Sequence, residues 1–369
     1  MFDVVIVGAG AAGVAAGRVL SARGLSFTIL EASPRIGGRA FTDRTSLPGQ
    51  WEQGCQWFHC ADVNPLVPVA EALGWAFEHR DRTDKDHVFR DGRWQTEAEL
   101  ADYGAALDAA FTAIYSAGAA GNDGPIAGLL PDSDIWQPHL RNILQLLSSA
   151  DPEQLSAQGY ADYADTQENW IVTDGLGALI ERLAVGLPIR TGVAVQAIDE
   201  APMGLRLQTT AGLIEARSAI VTVSTNLLLA GAIRIGSALA QPILDQMQGL
   251  PCGAYEKVAL AFDRLPFDPG ELLFLSVQPQ PGDLPLGLQI VTGPTPKLIA
   301  HVGGSLARDL AAKGSAAMIA TARAAIASAF GSQAESGITA AAVTGWPANS
   351  TVRGAYSYAL PGHGQSRKA

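Results

Sequence analysis

The chain has 369 residues, 48% of them hydrophobic and 17% charged, with 40 glycines and a formal net charge of −11. That length fills two or three domains with cores of their own, and the apolar content excludes a disordered chain. The acidic balance argues against nucleic-acid and anionic-membrane partners, which would repel it, and is compatible with a cationic small-molecule substrate. Three cysteines, Cys55, Cys60 and Cys252, are too few for a disulfide framework and match no zinc spacing. No basic, cleavable leader precedes the first apolar run, and no run reaches membrane-spanning length. The expectation is a cytoplasmic protein without a metal site.

Asp3-Val4-Val5-Ile6-Val7 is a short apolar run rich in β-branched residues, as a central parallel strand covered on both faces requires. Gly8-Ala9-Gly10-Ala11-Ala12-Gly13 follows directly, and Val14 to Leu20 reads as a helix. Gly8 makes the turn, Gly10 permits close approach of a pyrophosphate, and Gly13 permits tight packing of helix on strand. The helix N-terminus offers unpaired N–H groups and a partial positive charge to phosphate. A second strand, Ser26 to Leu30, ends at Glu31, 18 positions beyond Gly13, where an acid accepts hydrogen bonds from an adenosine ribose. An acid there disfavours the 2′-phosphate of NADP. These features define a dinucleotide site but do not separate FAD from NAD.

Glu31-Ala32-Ser33-Pro34-Arg35-Ile36-Gly37-Gly38-Arg39 comes next. Its paired glycines let backbone approach a ligand, and its arginines can reach phosphate oxygens. This segment resembles the E-x-x-x-R-x-G-G-R signature of the flavin amine oxidase superfamily, which includes monoamine, polyamine and L-amino-acid oxidases. Phytoene desaturases and protoporphyrinogen oxidases share much of it. The resemblance implies FAD, held through Gly8, Gly10, Ala12, Gly13, Glu31, Ala32, Arg35, Gly37, Gly38 and Arg39. Trp51 to His59 is similar to the family's acid-x-Gly-x-x-aromatic segment, which places Gln56 and Trp57 beside the flavin. The run Trp57-Phe58-His59, with Asn64-Pro65 beyond it, resembles polyamine oxidases and implies that His59 faces the substrate amine. A surface or core histidine is the competing reading.

Residues 70 to 167 show helical patterning and little chemistry, with helices expected at 101–117 and 135–147, a loop at 118–125, and Trp94 and Trp136 as packing residues. A helix from Ala178 to Val185 then precedes strand-like stretches at 193–198, 205–209 and 213–223, separated by glycine turns. That meander resembles the β-ribbon of this flavoprotein class, and the match implies that the Val195 backbone meets adenine. Ser224 stands where the family usually has proline. Leu250 to Asp263 resembles the family's G-x-x-x-K-V-x-L-x-F strand, which implies that Lys257 holds a water against flavin N5. An isolated strand lysine otherwise reads as a solvated edge residue. A helix is expected at 311–330. Gly345-Trp346-Pro347 and Arg353 to Gly362 resemble a W…G-x-Y…P-G segment, making Tyr356 one wall of an aromatic cage, with Trp346 as a further aromatic wall. Ala355 stands where mammalian-type monoamine oxidases carry a flavin-linked cysteine, so FAD is expected to be non-covalent.

The expected fold is α/β: a discontinuous Rossmann-type FAD-binding domain (1–69, 168–236 and 346–369), with a parallel sheet and β-meander, interleaved with an α+β substrate domain (70–167 and 237–345). The implied reaction is oxidation of a small-molecule amine, with hydride transfer to flavin N5, imine hydrolysis, and reoxidation by O₂ to give H₂O₂. A desaturase of an apolar substrate is one alternative. A flavin-binding protein without turnover is the other, because the resemblance stops short of the family's final strand, Gly-Glu turn and helix. On that reading the chain alone binds FAD weakly.

Overall fold

The computed structural model describes residues 1–79, 87–132, 135–236, 238, 240–265, 267–269 and 274–368, so residues 237 and 369 of the expected domain division lie outside the described residues. Two seven-stranded sheets organise the molecule. In the first, Phe2–Val7 pairs in parallel with Phe27–Leu30 on one side and Gly212–Val221 on the other. The sheet extends through the antiparallel meander Val195–Ala201, Gly204–Thr209 and Gly212–Val221, and through the short outer strands Ile189–Arg190 and Arg234–Ile235. The two faces of the first strand are used alternately. Val5 and Val7 join Leu30, Val195 and Leu207 on one side, while Ile6 joins Leu20, Phe27 and Ile29 on the other. Helix Ala11–Ala22 lies on the second side because Gly13, Val14, Gly17 and Leu20 recur at helical spacing. Helix Leu176–Ala184 covers Val14 with Leu179, Ile180 and Leu183. Each such aliphatic side chain contributes roughly 1.5–3 kcal/mol on full burial.

In the second sheet the order is Ile338–Val343, Tyr255–Phe262, Lys297–Gly303, Leu286–Val291, Phe274–Val277, Val88–Arg90 and Arg93–Trp94. Its strands run antiparallel except where Val88–Arg90 joins Phe274–Val277 in parallel. One face packs Val258, Leu260, Leu288, Leu298 and Val302 under helices carrying Leu310, Met318 and Ile326. By strand alternation Tyr255, Lys257, Gln289 and His301 share the opposite face.

The α/β class, the parallel core and the meander follow the sequence reading, with two local differences. The segment expected as one helix at 311–330 is two, Gly304–Lys313 and Ser315–Phe330, broken where Gly314 adopts φ +90°. The block 70–167 has its two long helices, Glu97–Ala119 and Gln137–Ser148, but also the hairpin Val88–Arg90/Arg93–Trp94. That hairpin turns through Asp91-Gly92, both at positive φ, a pair that is itself a hairpin signal. Its Trp94, although partly exposed, packs against the rings of Phe89 (5.3 Å) and Phe330 (5.6 Å), and Trp136 is buried, so both pack as expected. Helix Glu97–Ala119 starts where it does because Thr96 and Glu99 form a capping box. Ser224, the departure from the family's proline, caps the short helix Thr225–Leu229 by accepting from the Leu227 N–H at 3.4 Å.

Candidate active site

The two glycine segments face each other. Gly37 N–H donates to the Ala9 carbonyl at 2.9 Å, and Gly10 and Gly37 form an isolated parallel bridge. The buried Glu31 carboxylate straps the turn to the loop, accepting from Ala9 N–H and Ser33 N–H, each at 2.8 Å. The Arg35 guanidinium donates to the carbonyls of Ile36 (3.1 Å) and Gly38 (2.8 Å) and lies 4.0 Å over the Phe41 ring. It therefore shapes its own loop. Arg39 donates to the Ala355 carbonyl and so ties this loop to the C-terminal segment. Val193 N–H donates to the Glu31 carbonyl at 2.9 Å, bringing the start of the Val195 strand to the same end of the sheet.

This arrangement passes a direct test of fit to a dinucleotide. Helix Ala11–Ala22 begins at Gly10 with no capping side chain and no acid in its first turn. Ala11 and Ala12 are exposed while Gly13 is buried. A β-carbon on Gly13 would lie 1.9 Å from the Gly8 carbonyl oxygen. The result is an open helix N-terminus with bare N–H groups, possible only because glycine lets the helix approach the turn.

Lys257 is 4% exposed. It is therefore not a solvated edge residue. Its Nζ donates to the carbonyls of Glu52 (3.0 Å) and Gly54 (2.7 Å) and to Gln56 Oε1 (2.8 Å). All three ammonium protons are thus committed to segment 52–56, and a water could be held only by exchange with one of these partners. Burial pulls the ammonium down to about 8, against the opposing pull of Glu52. Burial also raises the Glu52 carboxyl, although the Thr42 hydroxyl, Lys257 and the Gly177 N–H favour its ionised form.

From Lys257 the polar chain continues. Gln56 Nε2 donates to Gln289 Oε1 at 2.9 Å, and His301 Nε2 lies 3.3 Å from the same oxygen. His301 Nδ1 lies 2.8 Å from the Tyr255 hydroxyl, and the Tyr255 ring sits 5.7 Å from Tyr356. Burial first, then the charge of Lys257, holds the His301 imidazole well below its usual range, so the ring is neutral. Sequence reasoning missed Tyr255, Gln289 and His301. A signal was present: each of Leu286-Gly287-Leu288-Gln289-Ile290 and Leu298-Ile299-Ala300-His301-Val302 sets one polar group on the face opposite an apolar row.

Tyr356 is 41% exposed, and its hydroxyl donates to the Leu146 carbonyl, which holds the ring in place beside Tyr255. Trp346 is buried: its Nε1 donates to the Gln53 carbonyl at 2.9 Å, and its ring lies 5.9 Å from the Arg35 guanidinium. It braces the turn on which Lys257 depends. His59 is exposed on the short strand Trp57–His59, with Nδ1 2.6 Å from Asn169 Oδ1. Trp57 packs 5.5 Å from Phe274. Ala355 carries no nucleophile, so no covalent link to a flavin forms there. A separate cleft lined by His87, Val88, Trp94, Gln95 and Leu100 lies toward the far edge of the second sheet from Lys257. No described helix is long and apolar enough to cross a membrane, and no metal-ligand cluster occurs among the described residues.

A second buried acid sits beside Lys257 on the core face. The Glu256 carboxyl accepts from the Thr344 hydroxyl, and burial raises it to about 7 from an ordinary 4.5. Between those values the native state holds a proton that the unfolded chain has lost, so this group's stabilisation fades as pH rises from about 4.5 to about 7. Glu256→Gln removes that slope. Urea midpoints of the parent chain should therefore fall relative to the variant across this window, and parallel midpoints would contradict a buried neutral acid.

Fold and cradle together define a dinucleotide-binding α/β protein with a buried lysine on its second sheet. A model of the flavin containing amine oxidoreductase family matches residues 11–368, and the chain belongs to that family. Its cofactor is FAD. The chain is 29% identical over 291 residues to human lysine-specific histone demethylase 2, matching 70% of this chain and 34% of the demethylase. It is 26% identical over 343 residues to polyamine oxidase 2 of Arabidopsis thaliana, at 84% and 68% coverage. The chain thus spans about a third of the histone demethylases it matches. Among solved structures, cyclohexylamine oxidase from Brevibacterium oxydans IH-35A superposes with TM-score 0.80 at 21% identity, covering 99% of this chain and 89% of that one. Wild-type putrescine oxidase bound to putrescine gives TM-score 0.77 at 19% identity, with the same coverages.

Proposed function

We propose that the protein oxidises a small amine, with FAD held non-covalently by the cradle at residues 8–39. The observation that carries this reading is the buried Lys257, fixed to segment 52–56 beside the Tyr255–Tyr356 pair. When bound, FAD supplies the acceptor for the hydride on the carbon next to nitrogen and passes the electrons to O₂. The uncapped N–H groups of Gly10, Ala11 and Ala12, with Arg39, hold the pyrophosphate, and Glu31 holds the ribose. Gly37 and Gly38 keep the loop thin enough for that approach, Arg35 braces it, and Ala32 and the Val195 backbone border the adenine. Gln56 and Trp57 line the flavin.

In this reading residues 1–69, 168–236 and 346–369 form the cofactor domain, and the remainder forms the substrate domain. Tyr356 offers an aromatic face to the amine and helps exclude water, which favours a neutral amine with an available lone pair. Lys257 positions segment 52–56 and can exchange one of its bonds for a water that hydrolyses the product imine. His59, at the exposed end of its strand, recognises the far end of a longer amine.

The test is a visible spectrum of the purified protein before and after anaerobic addition of spermine, benzylamine or mixed L-amino acids. Bleaching of the flavin bands by one of them, followed by H₂O₂ release on admission of air, is the expected result. Bound flavin that none of them bleaches would remove the proposal and favour a desaturase or a scaffold without turnover.

A further inference from the structure

We infer that Gln289 and His301 are positioning residues in a one-way hydrogen-bond relay that makes Tyr255 an obligate acceptor, selecting substrates that present an N–H. The direction follows from chemistry. A charged lysine has only donors, so Lys257 must donate to Gln56 Oε1, 2.8 Å away. The Gln56 amide is thereby oriented, and its Nε2 donates to Gln289 Oε1 at 2.9 Å. That oxygen cannot donate, so the His301 Nε2 facing it at 3.3 Å carries the ring proton. A neutral imidazole protonated on Nε2 has a bare Nδ1, which must accept from the Tyr255 hydroxyl at 2.8 Å. With its only proton spent on His301, the Tyr255 oxygen presents lone pairs alone to any further partner.

The geometry that permits the relay is cross-strand. Lys257 pairs directly with His301, Tyr255 stands two residues before Lys257, and Gln289 lies two residues beyond Gly287, which pairs with His301 on the next strand, so the side chains of Tyr255, Lys257, Gln289 and His301 stand on one face. Gly287, opposite His301, leaves room that the Leu146 side chain fills, since a β-carbon there would lie 2.8 Å from Leu146 Cδ1. At the far end, Tyr255 touches the ring of the exposed Tyr356. The Nε2 amide of Gln289 has no partner among the described residues, so nothing on the protein side pulls it away from this orientation. Recognition of the substrate rests on the proposed amine oxidation; the relay itself does not.

The direct test is nuclear magnetic resonance on the FAD-bound protein with nitrogen-labelled histidine. The His301 signal is assigned by its loss in His301→Gln, or through its proximity to the Tyr255 ring. The expected result is a single neutral tautomer with the proton on Nε2. A proton on Nδ1, or an even mixture, overturns the relay while leaving amine oxidation untouched. In Gln289→Met the acceptor is gone, and the two tautomers should mix. With benzylamine, KM should then rise about fivefold, the loss of roughly one hydrogen bond, while kcat changes less than about twofold. Gln289→Glu keeps the acceptor and should restore both the tautomer and KM. A Gln289→Met protein with an unchanged tautomer refutes the role of Gln289, and should that variant fail to fold, the tautomer of the parent protein decides alone. An intact relay in a protein whose flavin no amine reduces would instead sink the oxidation reading and the substrate half of this inference.

Discussion

Gly13→Ala should leave the protein largely without flavin and lower its stability by about 1–3 kcal/mol. A β-carbon at this position lies 1.9 Å from the Gly8 carbonyl oxygen, 3.0 Å from its carbon and 3.2 Å from Thr222 Oγ1. The first two are backbone atoms of a turn that cannot swing aside. Gly8 is held at φ +106°, and its N–H donates to the Leu30 carbonyl at 2.8 Å. The helix must therefore retreat, carrying with it the N–H groups of Ala11 and Ala12 that the proposed reading assigns to the pyrophosphate. Losing two hydrogen bonds to a charged phosphate, at roughly 1.5–3 kcal/mol each, weakens FAD binding about a hundredfold or more. Gly104→Ala is the matched control. It lies inside helix Glu97–Ala119 with no heavy atom near its new β-carbon, so it should stabilise by about 0.5–1 kcal/mol and leave flavin content unchanged. The ratio of flavin to protein absorbance, with a urea midpoint for each variant, checks both. Full flavin content in Gly13→Ala would mean that the cofactor's phosphates sit elsewhere.

Lys257→Met should reduce amine oxidation by about a hundredfold or more, comparable to removing a positioned general acid–base group. The substitution leaves two backbone carbonyls and the Gln56 amide oxygen without their donor in a largely buried place. Each unmet acceptor costs about 1–3 kcal/mol, offset in part because the buried ammonium is gone. The pH dependence separates these effects. Lys257 titrates near 8 in the fold against an ordinary 10.5, because burial disfavours its charge. Between those values the unfolded chain holds the extra proton, so native stability rises with pH across this window. The methionine variant lacks that gain. Urea midpoints of the two proteins should therefore diverge in favour of the parent between about pH 8 and about pH 10.5. Midpoints that run parallel would show that the lysine is not buried as a cation.

Much of the backbone geometry at residues 8–39 was legible in the sequence, because it is built from contiguous residues whose conformations are set locally. Gly8, Gly10 and Gly13 are read from their spacing, and Gly37-Gly38 from its place after Glu31. A turn, a helix start and a strand end fall within a few residues of one another, so chain connectivity alone brings them together. The meander was equally readable, since its glycines mark the turns and its strands alternate. By contrast, the long helix expected at 311–330 ignored Gly314, whose positive φ interrupts an otherwise uniform alanine-rich stretch.

The polar half of the site depended on tertiary structure. The strand pattern singled out Lys257 against the edge-lysine reading that residue type alone gives, but only the packing of segment 52–56 across its strand buries it and uses all three of its protons. Tyr255, Gln289 and His301 come from three strands paired in an order that sequence does not announce, and their relay exists because register sets them on one face. Trp346 is held by the bond from its Nε1 to the Gln53 carbonyl, a partner 293 positions away. Local spacing specifies what the backbone must do within a few residues. Which buried donor meets which acceptor is decided by strand register and by the cost of leaving either one unpaired.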